Sequence, residues 1–298
     1  VNTTSAAESA TQPAAGRVPR AVIQPTKGLL RIDWRELVEY RDLLLLLVRR
    51  DFKARYKQSI LGPAWFVIQP LLTTVVFTVI FGNVAKLPSD GMPKALFYLC
   101  ALVPWNYFAA CLNTTSTTFT ANMNLFGKVY FPRLIVPLSV VISNLITFAI
   151  QLTTFLCFFA YFKFFTATGP LIHPSLELLL LPVLLLQVAA LSLGFGLLVS
   201  ALTVKYRDLV YAMNFLVQLW MYATPVVYPL SMVTNPNWRL VAALNPMTAV
   251  VESFKHAFLG AGTADIRYTA ISVGMTLAVL FLGLVFFTRA ERTFVDTV

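Results

Sequence analysis

The chain has 298 residues, of which 58% are hydrophobic and only 12% charged, with a formal net charge of +10. Soluble domains carry about 25% charged residues, so this composition excludes a soluble globule and points to a polytopic membrane protein. Cys100, Cys111 and Cys157 lie in apolar runs without metal-type spacing, so they read as small buried hydrophobes, with neither a disulfide framework nor a zinc site.

Residues 1–30 are polar, rich in Ala, Thr, Ser and Pro, and lack an apolar signal core. They are expected to stay cytoplasmic, with 1–28 a disordered tail. Residues 29–60 form the next unit. Within it "WRELVEYRDLLLLLVRRDFKARYKQSILG", 34–62, repeats apolar side chains at steps of three and four: Leu37, Tyr40, Leu44, Val48, Phe52 and Tyr56. Its uncharged core is too short to cross a bilayer. The pattern predicts an amphipathic helix lying in the membrane interface, its basic side towards anionic headgroups.

A membrane domain follows over 61–290. About 20 apolar residues cross a bilayer core as a helix. Six stretches qualify: 61–82, 95–119, 134–162, 177–204, 209–230 and 268–288, the fifth carrying Pro225 and Pro229 near its end. Residues 291–298 form a short tail. Six spans place both termini on one side. If that side is the cytoplasm, the inner segments hold 17 of the 23 Lys and Arg, the asymmetry that the positive-inside rule requires. The stretch "LFGKVYFPR", 125–133, is then a cytoplasmic loop between the second and third spans.

Residues 238–262, "WRLVAALNPMTAVVESFKHAFLGAG", are too apolar for water and too broken to cross. The residue before a proline is pushed out of helical geometry, so Asn245-Pro246 predicts two half-helices forming a re-entrant hairpin from the outer side. Glu252 and Lys255 fall three apart on one face and are expected to pair facing water.

Ionisable groups at membrane depth are costly and tend to be functional, yet these spans hold almost none. His173 and His256 lie outside them, and no metal-ligand or Ser-His-Asp constellation is suggested. No phosphate-binding loop of the G-x-x-x-x-G-K-[ST] type occurs. Active transport by this chain would therefore draw its energy from another polypeptide pressing on its cytoplasmic surface. Two further clusters suggest function. Arg49, Arg50, Lys53, Arg55 and Lys57 precede the first span and suit either lipid headgroups or the diphosphate end of a lipid-linked substrate. Trp65, Tyr98, Trp105, Tyr211, Trp220 and Tyr222 fit either an interfacial belt or a path on which sugar rings slide against aromatic faces.

"RRDFKARYKQSILGPAWFVIQP" (49–70), "NLFGKVYFPR" (124–133) and "LNPMTAVVESFKHAFLG" (244–260) together resemble the permease subunits of bacterial type-2 ABC exporters of O-antigen, capsule or teichoic-acid polysaccharides. The resemblance covers about residues 30–290 in order. It implies an all-α permease in the inner membrane that forms a homodimer, binds two copies of a separate ABC ATPase and moves an undecaprenyl-diphosphate-linked glycan outward between its two copies. ATP and Mg would sit on the ATPase, and neither a cofactor nor a nucleic-acid partner is expected on this chain. The loop at 125–133 would be the coupling helix, with Phe126, Tyr130 and Phe131 filling a groove of the ATPase. Gly127 belongs to the same loop, Lys128 and Arg133 would lie at the groove's rim or the lipid surface, and Pro132 would end the short helix. The alternatives are the same fold exporting a drug or simple lipid, a membrane-embedded transferase, and a passive scaffold or channel.

Overall fold

A computed structural model describes residues 34–57, 60–126, 131–263 and 265–295. The expected disordered tail, 1–28, lies outside them. Every regular element among the described residues is helical. In chain order these are α1 (Trp34–Glu39), α2 (Arg41–Tyr56), α3 (Trp65–Phe77), α4 (Lys94–Ser116), α5 (Thr118–Ala121), α6 (Met123–Phe126), α7 (Ile135–Phe165), α8 (Leu181–Thr203), α9 (Leu209–Ala223), α10 (Pro236–Leu244), α11 (Pro246–Leu259) and α12 (Ile266–Val295).

Among the described residues, five stretches are long and apolar enough to cross a membrane: Gly62–Val84, Lys94–Ser116, Ile135–Phe165, Leu176–Thr203 and Ile266–Glu291. The expected span at 209–230 is shorter than its apolar run. Its helix, α9, has 15 residues and stops at Ala223, a length of about 22 Å against a hydrocarbon core of about 30 Å. The cause is local: Thr224 precedes Pro225 and is extended, with φ −96° and ψ 145°. At the other terminus, helical backbone continues past the expected boundary at 290 to Val295.

α4 is the central helix. It is apolar on every side, as a helix surrounded by others must be, and it packs against α7, α8, α11, α3 and α9. Leu96, Phe97, Cys100, Leu102, Phe108 and Leu112 on it are sealed from solvent. α8 and α12 touch backbone to backbone. A Cβ at Gly283 would collide with the Gly194 carbonyl oxygen, so only small residues permit this approach. Cys100 and Cys111 are buried as expected, whereas Cys157 is exposed on α7 and departs from that expectation.

A second, smaller core closes one end of the bundle. Leu47 of α2 joins Phe119, Phe126, Phe131, Ile135, Val136, Leu197 and Phe287 there. α2 packs along α7, burying Leu47 and Val48, while Leu45 and Leu46 remain exposed.

The hairpin at 238–262 has the expected break. Asn245 is extended, its Oδ1 accepts the Met247 amide at 3.1 Å, and Pro246 opens α11. Gly260 ends that helix at φ +72°, where its N–H reaches the His256 carbonyl at 3.0 Å and a Cβ would meet the His173 carbonyl. Ser272 of α12 donates to the Pro246 carbonyl at 2.6 Å and accepts from Gln187 of α8 at 2.7 Å. The hairpin is thereby tied to both neighbours.

Candidate functional site

The loop between α6 and α7 is held by its two ends. Phe126 and Phe131 are both buried, with ring centroids 5.8 Å apart, and Phe126 lies 6.0 Å from Phe119, which stacks on Phe287 of α12 at 4.7 Å. Their inward position corrects the expectation that these two rings fill a partner's groove: the second core already fills the space around them. Arg133 is also turned inward. Its Nη1 donates to the Glu291 carbonyl at 2.9 Å, its Nε lies 4.0 Å from the Glu291 carboxylate, and its guanidinium sits 5.4 Å from the Phe126 ring centre. Burial draws the Arg133 pKa down and Glu291 opposes the shift. The Pro132 carbonyl accepts the Ile135 amide at 3.0 Å, starting α7. Gly127, Lys128 and Tyr130 lie outside the described residues.

The basic cluster is partly assembled. Arg49, Arg50 and Lys53 line a shallow groove of about 600 Å³ on the outer side of α2, together with Asp42, Leu45 and Leu46. Arg50 is shared with Asp51 at 2.9 Å. Lys57 is exposed beyond the helix end, and the Arg55 side chain lies outside the described atoms. Exposed leucines beside exposed cations suit the boundary between acyl chains and headgroups.

The aromatic set divides. Tyr98 is fully buried against Phe77 and Phe97, and Trp105 is buried beside Phe108. Neither can face a path in this conformation, because α4 is enclosed by its neighbours. Trp65, Tyr211 and Tyr222 are exposed, Tyr211 at 81%. Trp220 is intermediate: its Nε1 donates to Asn245 Oδ1 at 3.1 Å and its ring packs edge-on to Phe108 and Phe195. Phe81, just beyond α3, meets Tyr222 of α9 at 6.3 Å. Leu72, Val75, Val76 and Val79 on and just after α3, with Tyr211, Phe215 and Leu219 on α9, are likewise exposed.

One ionic feature has the opposite environment to the expected one. Lys255 and Glu252 do not face water; their side chains are 0% and 1% exposed, at 3.2 Å from each other. Lys255 Nζ also donates to the Pro225 carbonyl, reaches the Tyr228 carbonyl at 3.5 Å and lies 4.0 Å from the centre of the Phe97 ring. Glu252 Oε2 accepts the Thr263 amide at 3.0 Å and its hydroxyl at 3.3 Å. The pair therefore joins α11 to α4, to the segment after α9 and to the segment before α12. Helical spacing sets Thr248, Glu252, Lys255 and His256 on one polar face of α11, so no local signal marked the pair as buried.

Residues 42–259, most of the chain, match the family of ABC-2 type transporters. The chain belongs to that family. Its similarity to individual members runs along nearly their whole length. It is 30% identical over 266 residues, 89% of this chain and 98% of the relative, to an O-antigen export system permease protein of Myxococcus xanthus. A Klebsiella pneumoniae protein of the same description is 26% identical over 256 residues, 86% of this chain and 94% of that protein. The polysialic acid transport protein of Escherichia coli is 23% identical over 254 residues, covering 83% and 92% of the two chains. The ABC-2 match takes in the basic groove, the loop, the exposed aromatic face and the buried ion pair.

Proposed function

We propose that this chain is the transmembrane subunit of an ABC exporter that moves an undecaprenyl-diphosphate-linked polysaccharide, such as O-antigen, outward across the inner membrane. The observation that carries this reading is the near full-length similarity to two O-antigen export permeases and a polysialic acid transport protein. Both termini face the cytoplasm in this reading, with α9 and the segment that follows it together completing the sixth crossing. Two copies of the chain assemble with two ATPase subunits, which hold ATP and Mg. The exposed face of α3 and α9 turns towards the second copy, and Tyr211 and Tyr222 present ring faces to the passing sugars.

The loop geometry supports a division of labour. Phe126, Phe131 and Arg133 anchor the loop to the bundle and to the end of α12, so displacement of the loop would carry α12 with it. Contact with the ATPase then falls to the residues between those anchors, Lys128 and Tyr130 among them. Arg49, Arg50 and Lys53 would hold the diphosphate at the cytoplasmic entrance, where cations on a preformed helix favour a dianionic group.

Deleting the gene tests the reading. Loss of surface polysaccharide, accumulation of the lipid-linked glycan inside, and restoration by the intact chain are expected. Unchanged surface polymer in the deletion strain would refute the assignment.

A further inference from the structure

A cavity of about 660 Å³ opens between the end of α9, the segment that follows it and α10. Its size falls in the range of small-ligand sites, roughly 300–1,000 Å³. Trp220, Tyr228 and Trp238 contribute aromatic surface from three different segments, and Thr234, Asn235 and Asn245 add hydroxyl and amide groups. None of the described residues lining it is charged.

Its walls are fixed before any ligand arrives. Asn245 holds Trp220 Nε1 through its Oδ1 and donates from Nδ2 to Thr224 Oγ1 at 2.8 Å. The Tyr228 carbonyl is reached by Lys255 of the buried ion pair. Asn235 uses its Oδ1 to cap α10, accepting the Asn237 amide at 2.9 Å, which leaves its NH₂ as a donor at the wall. Trp238, 66% exposed, lies open to an incoming group. Preorganisation of this kind lowers the ordering cost of binding.

We propose that this cavity is a carbohydrate subsite at the outer mouth of the translocation path, taking an uncharged pyranose ring of the exported glycan. The inference rests on the export reading above. Aromatic faces suit the C–H faces of a pyranose, and neutral amides and hydroxyls suit its hydroxyl groups. A phosphate or other anion would find no cation among the described lining residues, and an acyl chain would gain nothing from the amides.

The test uses the full chain in its exporter complex. Trp238→Ala should lower surface polymer by about five- to tenfold, the loss expected on truncating an aromatic anchor, with chain abundance and basal ATP hydrolysis unchanged. Trp238→Phe should restore most of it and Trp238→Leu should not. A benzophenone amino acid placed at 238 should, on irradiation, yield a cross-linked chain that carries carbohydrate. Wild-type export by Trp238→Ala, equal rescue by Leu and Phe, or cross-links to phospholipid alone would each overturn the subsite. Those outcomes leave the export reading standing. Unchanged surface polymer in the deletion strain would remove that reading instead.

Discussion

Lys255 Nζ lies 3.2 Å from Glu252 Oε1 on α11, and both side chains are sealed from solvent. Breaking such a pair by removing one partner leaves an uncompensated buried charge, at a cost of about 3–5 kcal/mol. Lys255→Met alone is therefore expected to lower the thermal unfolding temperature sharply in detergent. Combining it with Glu252→Gln, which keeps an acceptor for Thr263, should recover most of the loss. If the single and double variants unfold alike, the two charges are not coupled as the geometry requires.

The loop anchors give a second contrast. Phe131→Ala removes a buried ring and should cost about 3–5 kcal/mol, seen as reduced yield and lower thermal stability. Lys128→Ala should leave stability unchanged while export falls and ATP hydrolysis no longer responds to substrate. A Phe131→Ala protein as stable as the parent would contradict the packing. Full export by Lys128→Ala would contradict the coupling role.

The α8–α12 contact predicts a third. Gly283→Val places side-chain atoms where the Gly194 backbone already sits, so the variant should fail to fold or be degraded. Gly274 of the same helix is exposed, and a Cβ there would meet nothing within 4 Å. Gly274→Ala should be tolerated and gain about 0.5–1 kcal/mol from helix propensity. Equal stability of Gly283→Val and Gly274→Ala, measured by thermal unfolding, would show that the two helices do not touch there.

Neutralising Arg49, Arg50 and Lys53 together should weaken retention of the lipid-linked substrate more than binding of the ATPase. Co-purification of both from the triple variant measures the two effects side by side. Loss of the ATPase with retained substrate would make the groove a docking surface instead.

Much of this architecture was legible because apolar length reports directly on the capacity to cross a membrane. The hairpin was legible at Asn245-Pro246 for the same kind of reason, since a proline acts on its immediate neighbour. What escaped depends on contacts between distant segments. Tyr98 and Tyr211 are alike as aromatics in apolar helices, yet one is enclosed by Phe77 and Phe97 and the other is exposed. Phe126 and Phe131 flank a short basic stretch, and only the positions of Phe119 and Phe287 turn them inward. Glu252 and Lys255 have helical spacing that suits a surface pair, but Thr263, Pro225 and Phe97 enclose them. The shortness of α9 follows from Thr224-Pro225, a local signal outweighed in the sequence by the apolar run that continues beyond it.

The most direct test of the central claim is reconstitution. The chain is placed in proteoliposomes with its lipid-linked glycan, with and without the partner ATPase, and glycan reaching the opposite leaflet is measured as ATP is added. Transfer that requires both the ATPase and hydrolysable ATP is the predicted result. Glycan crossing at the same rate without the ATPase, or none crossing with the complete complex and ATP, would contradict it.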